Sequence, residues 1–388
     1  MDVLRRNFRR AFDYSMGSVY RRQHEPIPGA GLAWLWVTAR HIGHVLPQFS
    51  IMRNVLLKNH TLSANSAATS AALKLIASDM QQVDQLIAAR LDSSVPLVSQ
   101  VAHYIIAAGG KRLRPALLLL MCGALGYNEA QRFNLAAIVE FIHTATLLHD
   151  DVVDESMLRR GHPTANAAFG NPSSVLVGDF LYSRAFQMMV DSGSMRIMQI
   201  LSEATNIIAE GEVLQLMNMH DASLDEAAYL RVIRSKTAKL FEASARLAAV
   251  LAGSDLATEQ ACAEYGQALG TAFQVIDDVL DYDGDASVMG KNLGDDLREG
   301  KMTLPLIVAM QRGTPEQSRL IEQAIEAGEV EQLDEIIHIV RSTGSLQATR
   351  EAAASNAKIA ITALDNLPNN PYKKALLQLA EQLLERTS

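Results

Sequence analysis

Two acidic motifs contain the residues whose types and spacing point most directly to chemistry. Both have the pattern D-D-x-x-D, and their aspartates are Asp150, Asp151 and Asp154 in the first motif and Asp277, Asp278 and Asp281 in the second. On an α-helix, the first and last aspartates of such a motif lie one turn apart on the same face, and the middle one lies about 100° round the axis. Both motifs occur in strongly apolar helical sequence, where ionised carboxylates are costly unless a cation compensates them.

The ligand types in the two motifs indicate which cation this would be. Carboxylate oxygens without histidine or cysteine select a hard cation, and Mg²⁺ fits best because it commonly bridges a few carboxylates to substrate phosphates. Two facing motifs would hold a cluster of Mg²⁺ that could bind a diphosphate. The alternative is a pair of solvated acidic helix ends, but a second occurrence of the motif after apolar sequence argues against it.

Basic residues recur close to both motifs. Taken singly, each is better explained as an ordinary surface charge. Taken together they predict two anion sites, one bridged by metal and one bound directly by lysine and arginine donors. The residues are Lys111, Arg112, Arg114, Arg159, Arg160, Lys236, Lys291 and Lys301.

The elements that must position these groups are helices. From residue 71 onward the sequence is rich in Ala, Leu, Glu and Gln, with apolar residues at spacings of three and four and no alternating β-branched run. Capping boxes are predicted at 314–317 and 223–226. We therefore expect an all-α fold, a single large helical bundle around a central apolar cavity, formed by residues 71–388.

Composition excludes several classes of protein. The chain has 388 residues, of which 48% are hydrophobic and 20% charged, as in ordinary globular proteins. No apolar run reaches the roughly 18 residues of a membrane-spanning helix. The two cysteines, Cys122 and Cys262, cannot form a disulfide framework, which favours a reducing compartment.

Charge is distributed unevenly along the chain. Residues 1–60 contain 9 Lys and Arg against 3 Asp and Glu, and the remainder contains 26 against 40. The acidic main part argues against a nucleic-acid partner. We predict that residues 1–60 are a basic extension outside the fold, followed by a linker at 61–70. The extension is either a start upstream of the true one or a mitochondrial presequence, so the predicted location is the cytoplasm, with the mitochondrion as the alternative.

The motifs and their order resemble the trans-polyprenyl diphosphate synthases. The matching blocks are GGKRLRP, FIHTATLLHDDVVDESMLRRGHPTAN, VGDFLYSRAF, KTAKLF, GTAFQVIDDVLDY and GKNLGDDLREGKMTLPL. The resemblance implies that isopentenyl diphosphate is condensed onto an allylic diphosphate, for which farnesyl diphosphate is the expected primer. It also implies a homodimer and, on product release, peripheral contact with a membrane.

The resemblance further implies roles for individual residues. The six aspartates would bind Mg²⁺, three ions per active site. Thr237 and Gln274 would present oxygen dipoles to the developing carbocation, and Lys236 would be a further catalytic residue. Isopentenyl diphosphate would be bound by Lys111, Arg114, His143 and Arg160, and the allylic diphosphate by Arg159, Lys236, Lys291 and Lys301. Arg112 would also bind substrate.

Product length is predicted from Ala145 and Thr146, which precede the first motif by five and four residues. In the family, bulky aromatic residues at these positions close the pocket and stop elongation early. The small residues here favour a long product for quinone side chains, octaprenyl diphosphate first, with solanesyl or decaprenyl diphosphate as the next alternatives. The alternative is that they only allow close helix packing.

Other functions remain open at this point. A shorter-chain synthase would make geranylgeranyl or farnesyl diphosphate. His143 and the pair His149-Asp150 could belong to a metal phosphohydrolase of the HD type, although the second motif would then have no role. A non-catalytic partner subunit would usually have lost one of the aspartate motifs.

Overall fold

The computed structural model describes residues 72–283, 293–328 and 331–384. The predicted extension at 1–60, the linker at 61–70 and the predicted ligand Lys291 lie outside the described residues. The predictions made for them therefore stay predictions.

The described residues are almost entirely helical, which confirms the predicted all-α class. The first half contains α1 (Ala77–Arg90), α2 (Pro96–Ala107), α3 (Leu113–Ala124), α4 (Gln131–Val153), α5 (Ala165–Phe169), α6 (Asn171–Asp191), α7 (Met195–Met217) and α8 (Glu226–Ile233). The second half contains α9 (Lys239–Leu251), α10 (Leu256–Asp283), α11 (Asp295–Arg298), α12 (Leu304–Arg312), α13 (Pro315–Ala327), α14 (Leu333–Ser342), α15 (Ser345–Ala363) and α16 (Pro371–Leu383).

Two short elements interrupt the helical pattern. The strands β1 (Leu158–Arg159) and β2 (His162–Pro163) form an antiparallel hairpin after α4. A π-helical turn, Arg234–Ala238, joins α8 to α9. Both elements carry residues singled out from the sequence.

The helix starts follow local capping chemistry. At α13, Thr314 Oγ1 accepts a hydrogen bond from the Gln317 amide, and the Gln317 side chain accepts one from the Thr314 amide, which confirms the predicted capping box. The second predicted box, at 223–226, was wrong because α8 begins at Glu226, two residues later than a cap at Ser223 requires. There Asp225 is the N-cap and accepts from the Ala228 amide, a role for which aspartate is as well suited as serine.

The two long helices α4 and α10 are buried in the bundle. α4 packs against α6 and α3, and α10 packs against α15 and α9. Phe141, Leu148, Ala272 and Val279 on these helices are shielded from solvent. Both aspartate motifs lie in or directly after the last turns of these helices, where the helix dipole disfavours negative charge. Negative charge at these positions is therefore unfavourable unless neighbouring groups offset it.

None of the helices formed by the described residues has both the length and the hydropathy needed to cross a membrane.

Candidate active site

Asp151 of the first motif is completely buried and is paired with an arginine. Arg159 donates from Nε to Asp151 Oδ1 at 3.0 Å and to Oδ2 at 3.2 Å, and from its terminal nitrogen to Oδ1 at 2.6 Å. The chain reverses direction directly after α4, where Glu155 has a positive φ of 49°. Arg160 and Gly161, which follow Arg159, also have positive φ (54° and 75°), as the two-residue type I′ turn of the hairpin requires. Asn166 fixes the same region by donating to the Asp151 and Ser156 carbonyls at 3.0 and 3.1 Å.

The outer aspartates of the first motif each contact a lysine. Lys236 Nζ lies 3.6 Å from Asp150 Oδ2, and Lys301 Nζ lies 3.0 Å from Asp154 Oδ2. Each lysine also contacts a glutamate, Glu212 at 2.6 Å from Lys236 and Glu299 at 2.5 Å from Lys301. Two mixed clusters of acid and base thus lie beside the first motif.

The second motif is held by neutral donors. Tyr229 Oη donates to Asp278 Oδ2 at 2.5 Å, and Gln274 Nε2 donates to Asp278 Oδ1 at 2.8 Å. Thr237 Oγ1 in turn donates to Gln274 Oε1 at 3.0 Å. Asp278 is therefore linked by hydrogen bonds to the π-helical turn.

Asp281 is held differently. Its carboxylate oxygens accept the backbone amides of Asp295 and Asp296 at 3.3 and 3.2 Å. These amides belong to the first turn of α11, so the chain after the second motif folds back onto the motif's last aspartate.

The π-helical turn brings the two motifs into one site. Lys236 reaches Asp150 of the first motif, while the adjacent Thr237 reaches Asp278 of the second through Gln274. π-Helical turns inside α-helices often occur at functional sites. Lys301, which follows the second motif along the chain, makes a second connection by contacting Asp154 of the first.

Two glycines allow the turn to approach its neighbours. A Cβ at Gly211 of α7 would lie 2.9 Å from the Lys236 amide nitrogen and 2.8 Å from the Ser235 Cβ. A Cβ at Gly270 of α10 would lie 2.7 Å from the Ala238 Cα. Real side chains do not tolerate such distances, so glycine at both positions permits the close packing.

Burial raises the pKa of two carboxyl groups of the site. Burial, followed by the charge of Asp296, raises the pKa of Asp278 to about 8. Burial, followed by the charge of Asp150, raises the pKa of Glu212 to about 7. Burial lowers the pKa of Lys301, but Asp154 and Glu299 outweigh it, and the net pKa lies above the ordinary value. The site thus has a surplus of negative charge that an added cation would relieve.

The donor chemistry fits Mg²⁺. The two motifs offer only carboxylate oxygens, the ligands that hard cations prefer. Within residues 72–283, 293–328 and 331–384, no three acidic, histidine or cysteine side chains are gathered closely enough to hold an ion. Instead Asp150, Asp151 and Asp154 are each paired with a lysine or arginine. The assignment of the six aspartates as metal ligands stays a prediction.

A second cationic region lies around the start of α3. Arg112 donates to the buried Glu140 at 2.5 Å, and the guanidinium of Arg114 lies 4.5 Å from the ring centre of Phe241. In the part of the chain that the structure describes, the buried Nε of Arg114 has no hydrogen-bond acceptor. An unused donor of this kind fits a binding site for an anion.

His143 and Arg160 belong to this second region. Burial, followed by the charge of Arg114, lowers the pKa of His143 well below its usual value, so the imidazole is neutral. A Cβ at Gly110 would lie 3.0 Å from an Arg160 guanidinium nitrogen, so Arg160 lies against the backbone there. Lys111 is exposed in the same segment. The predicted binding residues of one substrate therefore share one region.

The two predicted chain-length residues differ in burial. Ala145 is completely buried in the core. Thr146 is half-buried, and its hydroxyl donates to the His143 carbonyl at 2.7 Å. Thr146 lies one turn before Asp150 on the same face of α4.

Sequence reasoning did not identify Glu212, Glu299, Glu140 or Tyr229. Each contacts a predicted residue but lies outside the D-D-x-x-D motifs, and three of the four reach their partners from a different helix. The signal available was weak, since Glu212 follows a glycine within a helix and Glu299 precedes Lys301 by two residues.

Comparison with known proteins adds independent information. The sequence model described as "Polyprenyl synthetase" matches residues 95–341. The chain is 52% identical to the octaprenyl diphosphate synthase of Escherichia coli (strain K12), over 81% of this chain and 97% of that protein. It is 46% identical to an all-trans-nonaprenyl-diphosphate synthase of Rhodobacter capsulatus, over 80% of this chain and 96% of that protein.

Solved structures are also similar. A polyprenyl synthase from Caulobacter crescentus CB15, crystallised as a complex with calcium and isoprenyl diphosphate, superposes with a TM-score of 0.80 at 45% identity. The match covers 84% of this chain and 100% of that chain.

Proposed function

Because this chain belongs to the polyprenyl synthetase family, we propose that it is a long-chain trans-prenyltransferase whose product is octaprenyl diphosphate. The resemblance found from the sequence motifs is confirmed. The shorter-chain alternative is not favoured, since the relative matched over nearly its whole length at 52% identity is an octaprenyl diphosphate synthase.

The observation that carries the proposal is the arrangement of the π-helical turn between the two motifs. Lys236 contacts Asp150, and Thr237 connects through Gln274 to Asp278. This places cations and oxygen dipoles beside two sets of carboxylates, as ionisation of an allylic diphosphate requires. A phosphohydrolase of the HD type would give the second motif no role.

Mg²⁺ is the proposed cofactor, with three ions per site. The residues that would hold it are Asp150, Asp151, Asp154, Asp277, Asp278 and Asp281. When bound, Mg²⁺ would act as a Lewis acid that stabilises the negative charge developing on the leaving diphosphate.

The chain's own residues would orient the two substrates. Lys236, Lys301 and Arg159 would donate to the allylic diphosphate, together with Lys291, which lies outside the described residues. The second cationic region would bind the diphosphate of isopentenyl diphosphate. It comprises Lys111, Arg112, Arg114, His143 and Arg160.

The bond changes are those of an ionisation followed by an alkene addition. The allylic C–O bond breaks, and its electron pair leaves with the diphosphate. The oxygens of Thr237 and Gln274 would stabilise the carbocation, which the double bond of isopentenyl diphosphate attacks. A proton is then lost, for which the released diphosphate is the proposed acceptor. The apolar residues of α4 and α10 would keep out water that would otherwise quench the cation.

We also propose a homodimer. The outer faces of α6 and α7 expose a set of large apolar side chains, which is common at protein–protein contacts. The residues are Leu176, Val190, Met195, Val213 and Met217. The alternative is that this surface contacts a membrane on product release. A dimer in solution would support the first role, and a monomer would support the second.

A cytoplasmic location is proposed on separate grounds. Cys122 and Cys262 are both unpaired and buried, which supports a reducing compartment. No partner role with nucleic acid is proposed, because residues 61–388 contain 26 Lys and Arg against 40 Asp and Glu.

The decisive experiment is a product assay. The purified chain is incubated with farnesyl diphosphate, isopentenyl diphosphate and Mg²⁺, and the product is identified by mass. Octaprenyl diphosphate is expected, and its formation should stop in the Asp150→Asn variant. Phosphate release without elongation would indicate a hydrolase, and no reaction by the chain alone would indicate a non-catalytic subunit.

A further inference from the structure

Two glutamates outside the aspartate motifs contact the lysines of the site. We propose that Glu212 and Glu299 are positioning residues, which keep Lys236 and Lys301 in place for the allylic diphosphate. Each glutamate would hold its lysine when a divalent cation is bound to the aspartate that the same lysine contacts. The inference rests on the proposed function and assigns it two further residues.

The first pair lies at the π-helical turn. Lys236 Nζ is 2.6 Å from Glu212 Oε2 but 3.6 Å from Asp150 Oδ2. The glutamate is therefore the closer partner of this ammonium group. It comes from α7, a helix that carries neither motif.

The second pair repeats this arrangement on the other side of the first motif. Lys301 Nζ is 2.5 Å from Glu299 Oε2 and 3.0 Å from Asp154 Oδ2. The segment is anchored from behind, because the His220 amide donates to the Gly300 carbonyl at 2.9 Å. Glu299 and Lys301 thus share a backbone segment with an anchor at His220, in addition to the bonds from Asp295 and Asp296 to Asp281.

Charge balance gives the reason for two partners on each lysine. A lysine held by an aspartate alone would lose its partner when a divalent cation binds that aspartate, and would compete with the cation beforehand. An ammonium group has three donors, so a lysine retained by a glutamate still has donors for a diphosphate oxygen.

Burial makes these contacts matter energetically. The side chains of Lys301 and Asp154 are 16% and 14% exposed, and those of Lys236 and Glu212 are 19% and 29% exposed. Fully exposed ion pairs contribute little to stability, whereas partly buried pairs such as these are less screened by solvent and salt. Removal of one glutamate charge should therefore change where its lysine lies.

The test measures binding of inorganic pyrophosphate in the presence of Mg²⁺ by isothermal titration calorimetry. The variants Glu212→Gln and Glu299→Gln remove a charge and keep the shape. Each is expected to weaken pyrophosphate binding on the order of tenfold, as loss of a residue that orients a ligating group commonly does. In steady-state assays, the KM for the allylic diphosphate should rise while the KM for isopentenyl diphosphate is unchanged.

A double-variant cycle shows whether each glutamate acts through its lysine. If so, Glu212→Gln should weaken binding no further in a chain that already carries Lys236→Met, because coupled residues are non-additive. The same holds for Glu299→Gln with Lys301→Met. Additive losses in both cycles would overturn the inference.

The matched control is Glu203→Gln. Glu203 also lies on α7 and also contacts a lysine, with Oε1 3.5 Å from Lys239 Nζ. Neither Glu203 nor Lys239 belongs to the clusters around Lys236 and Lys301. Pyrophosphate affinity should match the wild type in this variant. Wild-type affinity in both Glu212→Gln and Glu299→Gln would overturn the inference, and so would a lowered melting temperature without any change in affinity. Failure of the wild-type chain to elongate farnesyl diphosphate would instead refute the proposed function.

Discussion

Asp278 shows how a single carboxylate of the site is oriented. Its two oxygens accept hydrogen bonds from Tyr229 and Gln274, and it is almost completely buried. Donors that fix both oxygens restrict the carboxylate to one rotamer and aim its remaining lone pairs. Asp278 is a proposed Mg²⁺ ligand, and loss of a hydrogen-bond partner of a metal ligand typically lowers metal affinity about 10- to 100-fold.

The variant Tyr229→Phe should therefore weaken metal binding without changing the shape of the side chain. We expect the Mg²⁺ concentration needed for half-maximal activity to rise about tenfold. The control is Tyr265→Phe, which removes a buried hydroxyl bonded to the Leu376 carbonyl at 2.8 Å, away from both motifs. An unchanged Mg²⁺ requirement in Tyr229→Phe, or an equal change in both variants, would contradict the orienting role.

Ala145 and Thr146 provide the test of product length. Replacement Ala145→Phe should shorten the product, because an aromatic ring one turn before the first motif would occupy the path of the growing chain. Since Ala145 is fully buried, overpacking is expected to cost about 1–3 kcal/mol of stability. The half-buried Thr146 offers Thr146→Phe as a second variant with less strain.

Product mass distinguishes the two explanations of these small residues. A shift from octaprenyl to shorter chains in either variant supports the chain-length role. Unchanged product mass in both variants, with reduced stability in Ala145→Phe, would mean that the residues only allow close helix packing.

Residue spacing in the sequence pointed to some side chains of the candidate site and could not point to others. The aspartates were predicted as metal ligands because a repeated D-D-x-x-D in apolar sequence is improbable without a ligand, and this assignment stays a prediction. Tyr229 and Glu212 were not found, since each contacts the site from a separate helix and no local pattern marks them. Their role depends on how helices pack, which a single sequence does not specify.

At the level of elements, the π-helical turn is the feature that sequence periodicity missed. Residues 234–238 have the composition of an ordinary helix, and one extra residue in a turn leaves no signature in amino-acid type. Its presence depends on neighbours that approach closely, which Gly211 and Gly270 permit. The hairpin after α4 was missed for a different reason, because its strands have only two residues each.

Gly211→Ala tests the contribution of this turn. The added methyl would meet the Lys236 amide and the Ser235 side chain, so the turn must shift and carry Lys236 with it. We expect a stability loss of about 1–3 kcal/mol, together with a clear loss of prenyltransfer measured as kcat/KM for the allylic diphosphate.

The control for this prediction is Gly123→Ala. Its added methyl would meet the ring of Tyr372, which also forces close-packed helices apart but does so away from the aspartate motifs. Comparable stability losses with prenyltransfer retained only in Gly123→Ala are expected. Equal activity losses in the two variants would mean that the position of the turn is not important.

For the whole molecule, the all-helical class could be predicted because apolar residues recur at helical spacing over more than 300 positions. Helix ends were less predictable. The box at 223–226 was wrong since both Ser223 and Asp225 can cap a helix, and the Ser223 hydroxyl donates to Asp221 Oδ1 at 2.6 Å instead. A shared site for the two motifs was predicted from chemistry. Ionised carboxylates in apolar sequence are costly unless a cation compensates them, and two facing motifs could share such cations.

The two cysteines give a prediction that probes the integrity of the whole bundle. Cys122 lies in α3 and Cys262 in α10, both are completely buried, and burial raises the pKa of each thiol to about 12. Because the thiolate is the reactive form, both thiols should stay protonated and unreactive at pH 8. A colorimetric disulfide reagent should therefore detect no thiol in the native protein and two after denaturation in guanidinium chloride. Rapid reaction of either thiol in the native protein at pH 8 would show that its helix opens readily, and a Cys→Ser variant would identify which one.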